Sequence, residues 1–90
     1  MYAIKFDKAI EKNIALWKKS NPNLHKKLVK TFIAIAENPR TGIGHPEALV
    51  GSNDTIYSRR ITAHDRVIYS INDEECFVVI VSIKGHYDDK

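Results

Sequence analysis

Ile56-Tyr57-Ser58-Arg59-Arg60-Ile61-Thr62, then Ala63-His64-Asp65, then Arg66-Val67-Ile68-Tyr69-Ser70-Ile71-Asn72 reads as two strands and the turn between them. The second run alternates. Val67, Tyr69 and Ile71 fall on one side and Arg66, Ile68 and Ser70 on the other, the period of a strand with one face in a core. The first run, Ile56–Thr62, reads as its antiparallel partner. Directly opposed residues share a face, so the apolar Ile61 and Val67 are expected opposite one another. A two-residue loop would set Ile61 against Arg66. A three-residue loop, Ala63-His64-Asp65, opposes Thr62 to Arg66 and Ile61 to Val67. The same parity puts Arg60 and Arg66 together on the face away from the core, and a bulge would give the same result.

Downstream, the turn Asn72-Asp73-Glu74-Glu75 leads into a third strand at about Cys76–Ile83. That run is almost wholly apolar, which predicts a central position. Cys76 inside it reads as a buried thiol. Gly85 ends the pattern, and His86-Tyr87 stands in the tail. Upstream, residues 40–55 hold Gly42, Gly44, Pro46 and Gly51 and read as a loop. It is long for so small a chain, and loops of that length tend to be functional or disordered.

Further upstream, Asn21-Pro22 is a helix start, with proline tolerated in the first turn. Leu24, Leu28, Phe32 and Ile35 form one stripe, and Pro39 ends the helix. Before it, Asp7 is placed to cap a helix from about Lys8 to Lys19. Ile10, Ile14 and Trp17 give that helix its apolar stripe, with Trp17 as a core anchor. Tyr2 to Phe6 reads as a short first strand. The expected fold is α+β: two N-terminal helices on one face of a mostly antiparallel, four-stranded sheet. The other face is left open, concave and basic.

The bulk numbers bound the alternatives. Ninety residues make a single domain, 1–90, and 43% hydrophobic with 28% charged residues is too apolar for a disordered chain. One cysteine allows neither an internal disulfide nor a cysteine-based zinc site. His25, His45 and His64 lack metal-ligand spacing, so no metal or other cofactor is expected. No Gly-x-Ser-x-Gly, P-loop or dinucleotide fingerprint occurs. The N-terminus is too short and too charged for a signal peptide, and no apolar run suits a membrane span, so a cytoplasmic location is expected. The net charge of +3 fits a polyanion such as RNA, or equally an acidic protein. Lys18, Lys19, Lys26, Lys27 and Lys30 form either a solvated face or a contact with RNA or a ribosome.

Cleaving RNA without a metal needs a base for the 2′-hydroxyl and an acid for the leaving 5′-oxygen. It also needs cations for the phosphate. Glu47 in the glycine-rich loop, His86, Arg60 and Arg66 are residues of the right kinds, because Glu and His can be tuned toward neutrality and Arg grips two phosphate oxygens. Each also has a bland reading. A loop carboxylate is usually solvated, a tail histidine is often idle, and Tyr87 can be a packing aromatic. Arg60 and Arg66 can pair with Asp65, Asp73 or Glu74.

Gly42-Ile43-Gly44-His45-Pro46-Glu47-Ala48-Leu49 is similar to the GxGKPExL segment of the YoeB/Txe toxins, within the RelE superfamily. Tyr57-Ser58-Arg59-Arg60-Ile61-Thr62 resembles their WSRRIT strand, Arg66-Val67-Ile68-Tyr69 their RLVY strand, and Gly85-His86-Tyr87 their closing HY. The likeness spans nearly the whole chain. It implies a RelE-like fold and a toxin of a type II toxin–antitoxin system that cleaves translated mRNA in the ribosomal A site. In that reading Glu47 is the general base, His86 the general acid and Arg66 the residue that steadies the phosphate. Arg60 supports the phosphate, Arg59 joins it among the phosphate contacts, and Tyr87 orients the substrate. The implied partners are an antitoxin of the YefM/Axe kind, mRNA, the ribosome and a second copy of the chain. Operator DNA is reached only through the antitoxin complex. A non-catalytic or weakly active co-repressor of the same fold is the alternative.

The chain departs from the family pattern in places. His45 replaces the usual Lys, and Val50 stands where Lys is common, which removes fixed positive charge near the loop. Tyr57 replaces Trp and keeps an aromatic. Asp65 precedes Arg66, and Asp88-Asp89-Lys90 extends past the closing Tyr, adding carboxylates that repel an anionic substrate.

Overall fold

In the computed structural model, residues 1–84 are described. Asp7 stops the chain from continuing as a strand: its carboxylate accepts from the Ile10 amide at 2.9 Å and opens helix α1, Lys8–Ser20. Asn21 ends α1, its N–H donating to the Trp17 carbonyl. It also caps α2, Pro22–Glu37, where Pro22 opens the first turn without needing a donor. Before α1 runs the short strand β1, Ala3–Lys5; after α2 come β2, Glu47–Ala48, β3, Ile56–Arg60, β4, Arg66–Asn72, and β5, Phe77–Lys84.

These strands form one sheet in the order β1-β5-β4-β3-β2. It has five strands where four were expected, because two residues of the long loop, Glu47 and Ala48, pair with Ser58 and Tyr57. All neighbours are antiparallel except β1 and β5, which are parallel. The apolar β5 is interior, flanked by β1 and β4. Strict alternation would turn Ile83 away from the core. A bulge resolves this: Ile68 faces Ser82 while Tyr69 faces Ile80, and the extra residue, Val81, is exposed. Val78, Ile80 and Ile83 are thereby all buried.

Both helices cover the same sheet face. Their stripes, Ile10 with Trp17 and Leu24 with Leu28 and Ile35, meet Tyr57, Val67, Tyr69, Ile71, Val78, Ile80 and Ile83 in one core. Ile14 and Phe32 from the expected stripes are partly buried against it. No helix among the described residues is long and apolar enough to cross a membrane.

Two further expectations need correction. In the first hairpin Arg59, not Ile61, lies opposite Val67, and Arg60 lies opposite Arg66. The loop is five residues, not three. Thr62 is consumed by the turn: its hydroxyl donates to the Asp65 carboxylate and accepts from the His64 and Asp65 amides, while the Ile61 amide donates to the Asp65 carbonyl at 2.8 Å. The shift is two residues, so parity survives and Arg60 still shares a face with Arg66. Cys76 is exposed rather than buried, because it sits at φ 55° in the β4–β5 turn, one residue before β5 begins.

Candidate functional site

Register alone gathers the open face. Glu47 pairs with Ser58, Ser58 with Ile68, and Ile68 with Ser82; one step along, Arg60 pairs with Arg66 and Arg66 with Lys84. Directly paired residues present their side chains to the same side. The sheet face away from the helices therefore carries Arg60, Arg66 and Lys84 as a row across β3, β4 and β5. Glu47 stands on β2, diagonal to Arg60. All four side chains are exposed. None of the three cations forms an ion pair among the described residues. Like charges directly opposed on a sheet repel, so the row is a liability for the isolated fold.

Among the described residues, three aspartates, Asp73, Asp54 and Asp65, are engaged elsewhere. Asp73 and Asp54 both bind Arg40, the residue after Pro39, at 2.9 and 2.8 Å. Asp73 also accepts from the Tyr2 hydroxyl at 2.6 Å, and Asp54 from the Tyr57 hydroxyl. The Tyr57 hydroxyl and then the Arg40 guanidinium hold Asp54 below the usual carboxylate range; Arg40 and then Tyr2 do the same for Asp73. Asp65 is buried in the five-residue turn, near the start of α2. This clasp joins the end of α2, the approach to β3 and the β4–β5 turn, and leaves the open face cationic.

Arg59 is not where a phosphate contact would have to be. It lies on the core face opposite Val67 and is fully buried. Adjacent residues of a strand point to opposite sides, so of the pair Arg59-Arg60 only one reaches the open face. Its Nη2 donates instead to the carbonyls of Asn38 and Thr41, at 2.9 and 2.8 Å. His86 and Tyr87 lie outside the described residues; β5 reaches Lys84, two positions before His86 in the chain. Lys84 lies outside the sequence motifs, although its place directly after the buried Ile83 marks it as outward-facing.

The segment that brings Glu47 to the sheet is unusual in its backbone. Gly42 and Gly44 have φ of 114° and 87°, and His45, a non-glycine residue, has φ 49°. The Gly44 carbonyl accepts from the Arg60 amide at 2.7 Å, so the segment is laced to β3 before β2 begins. Leu49 and Val50 follow at an exposed tip, Val50 with no cover at all.

A helical roof over one sheet face, with exposed cations among the described residues of the other, defines a small α+β protein. Residues 6–87 match the family model described as the YoeB-like toxin of bacterial type II toxin–antitoxin systems. The chain belongs to that family and is the toxin of a type II toxin–antitoxin system. It is 37% identical over 73 residues to toxin YoeB of Synechocystis, covering 80% of this chain and 83% of the relative. The YoeB–YefM complex from Staphylococcus aureus contains a chain of the same fold, with a TM-score of 0.78 and 30% identity, covering 97% of this chain and 99% of that one. The YoeB dimer from the same organism matches with a TM-score of 0.78 and 29% identity, covering 96% and 98%.

Proposed function

We propose that this chain is an endoribonuclease that cuts translated mRNA in the ribosomal A site without a metal. Glu47 takes the proton from a 2′-hydroxyl. The freed oxygen attacks the adjacent phosphorus, forming a 2′,3′-cyclic phosphate, and the bond to the 5′-oxygen breaks. His86 protonates that oxygen, which leaves as a 5′-hydroxyl. Arg66 carries the charge that builds on the phosphate, Arg60 and Lys84 flank it, and Tyr87 orients the substrate. The observation that carries this reading is the row Arg60–Arg66–Lys84, in register on three strands and unneutralised among the described residues, beside the exposed carboxylate of Glu47. A fold retains such repulsion where an anion relieves it.

Membership of the family supports a protein antagonist of the YefM kind, since the S. aureus relative forms a complex with YefM. The S. aureus dimer supports self-association. An antitoxin segment over the open face would quench the same cations that hold RNA, and operator DNA would be reached through that complex.

The test is to induce the chain without an antitoxin and map mRNA 5′ ends. Cuts inside translated codons are expected, and Glu47→Ala should remove them. Soluble, folded protein that makes no cuts would overturn the nuclease reading in favour of the co-repressor. Cuts in free RNA without ribosomes would overturn the ribosome dependence.

A further inference from the structure

We infer that Arg59 is a positioning residue whose buried guanidinium holds the segment from Gly42 to Glu47 against β3, so that Glu47 stands beside Arg60 on the open face. The inference rests on the reading of Glu47 as the base, and it assigns Arg59 no contact with substrate.

The geometry is that of an anchor under a loop. Arg59 Nη2 holds the carbonyls of Asn38 and Thr41, at 2.9 and 2.8 Å, which are the C-cap of α2 and the first turn of the loop. The guanidinium lies 6.0 Å from the Tyr69 ring centroid, and the Tyr69 hydroxyl takes the carbonyl between them, that of Pro39, at 2.6 Å. Burial raises the pKa of Tyr69, so it remains a donor at neutral pH. Further along, Gly44 lies flat on the same side chain. A Cβ there would come within 2.7 Å of Arg59 Cγ and 2.5 Å of the Arg60 carbonyl oxygen. Three residues on, Glu47 enters the β2–β3 ladder opposite Ser58. The segment is thus pinned at its start by the head of Arg59, in its middle by the stem, and at its end by strand pairing.

Stability alone is a poor account of this residue. Nε and Nη1 of Arg59 meet no acceptor among the described residues. A buried cation with donors unmet is costly, and a neutral side chain of similar volume fills a core more cheaply. What the guanidinium contributes and an apolar filler does not is a fixed position for the backbone at Asn38 and Thr41, on either side of the Pro39 carbonyl held by Tyr69. Two adjacent arginines therefore divide the work, Arg59 inward on the loop and Arg60 outward on the open face.

The experiment uses the full-length chain and programmed ribosomes carrying a defined mRNA. Arg59→Met keeps the aliphatic stem under Gly44 and removes both hydrogen bonds. With folding verified by circular dichroism, its cleavage rate at saturating ribosomes should fall by about 10²-fold, the scale expected for a misplaced catalytic group. Half-saturation should stay within about twofold, because no ligand contact is lost. Arg59→Lys, able to reach one carbonyl, should recover part of the rate. Wild-type cleavage by Arg59→Met, or a defect confined to half-saturation, overturns the inference. If Arg59→Met does not fold, Gly44→Ala displaces the segment from the other side and should give the same loss in rate alone; a wild-type rate there is equally fatal. Amide hydrogen exchange separates this inference from the nuclease reading. In Arg59→Met the Arg60 amide, bonded to Gly44, should exchange about tenfold faster whether or not the chain cuts RNA. Unchanged protection overturns the anchor even if the nuclease stands, and an inactive wild type with that loss of protection overturns only the nuclease.

Discussion

Cys76 shows how one residue departs from its neighbourhood. It follows two glutamates and precedes five apolar residues, so composition assigns it to the strand. Its φ of 55° instead makes it the turn residue that reverses the chain, with its Sγ 3.6 Å from the Asp73 carbonyl. An exposed thiol should react with a disulfide reagent in the native state at a rate close to that of the denatured chain; strong native protection would contradict the placement. A left-handed conformation costs a residue with a Cβ roughly 1–2 kcal/mol, so Cys76→Gly should be neutral or raise the thermal midpoint. Arg59 is the same lesson on the opposite side. Its neighbour Arg60 is chemically identical, and only strand alternation, with no local property of either side chain, separates an anchor from an exposed cation.

At the scale of elements, the sheet and its loops are held by opposite devices. The Arg40 clasp joins three segments through Asp54 and Asp73, both with pKa values depressed in the folded chain. Groups of this sign add stability above the unfolded carboxylate value of about 4, and it is lost as pH falls through the lower folded value. Thermal midpoints measured from pH 6 down to pH 2 should therefore drop more steeply for the wild type than for Arg40→Met. Parallel curves would remove the clasp from the list of stabilising features. The cationic row works the other way. Arg66 faces Arg60 on one side and Lys84 on the other, so Arg66→Gln should hold or raise the thermal midpoint, by up to about 1 kcal/mol in stability, while cleavage is lost. A variant that is both inactive and clearly destabilised would show that Arg66 is a structural residue. The helices follow local rules: Asp7→Ala, which removes the α1 cap, should cost about 1 kcal/mol in a denaturant titration.

Across the whole molecule, charge is sorted by layer. The helical hairpin from Lys8 to Glu37 has seven lysines and two glutamates, and the open sheet face has its own cationic row. A chain built this way should bind single-stranded RNA with a strong salt dependence. For a short oligouridylate, the slope of log affinity against log salt should fall by about 0.7 for each open-face contact removed, as in Arg60→Gln. Arg59→Met should leave that slope unchanged, and an equal loss of slope in both variants would place Arg59 on the RNA surface after all.

Much of this was legible in the residues themselves, and the boundary has a physical cause. The two helices, their caps at Asp7 and Asn21-Pro22, the alternating strand at Val67–Ile71 and the interior place of β5 all follow from local periodicity and backbone chemistry. So does the shared face of Arg60 and Arg66, because side-chain parity tolerates a register error of two. The motifs around Glu47, Arg60 and Arg66 carried the family, since residue types and their spacing are written along the chain. Tertiary structure alone decided the rest. A two-residue strand has too little sequence to show a period, so β2 exists only because β3 is beside it. The five-residue turn depends on Thr62 bonding to Asp65 rather than pairing with Arg66. The bulge at Val81 depends on Ile80 and Ile83 both finding the core. The sorting of carboxylates depends on which of them Arg40 can reach. Periodicity and capping are properties of neighbours along the chain, whereas register, bulges and ion-pair choice are settled by competition among residues far apart in sequence.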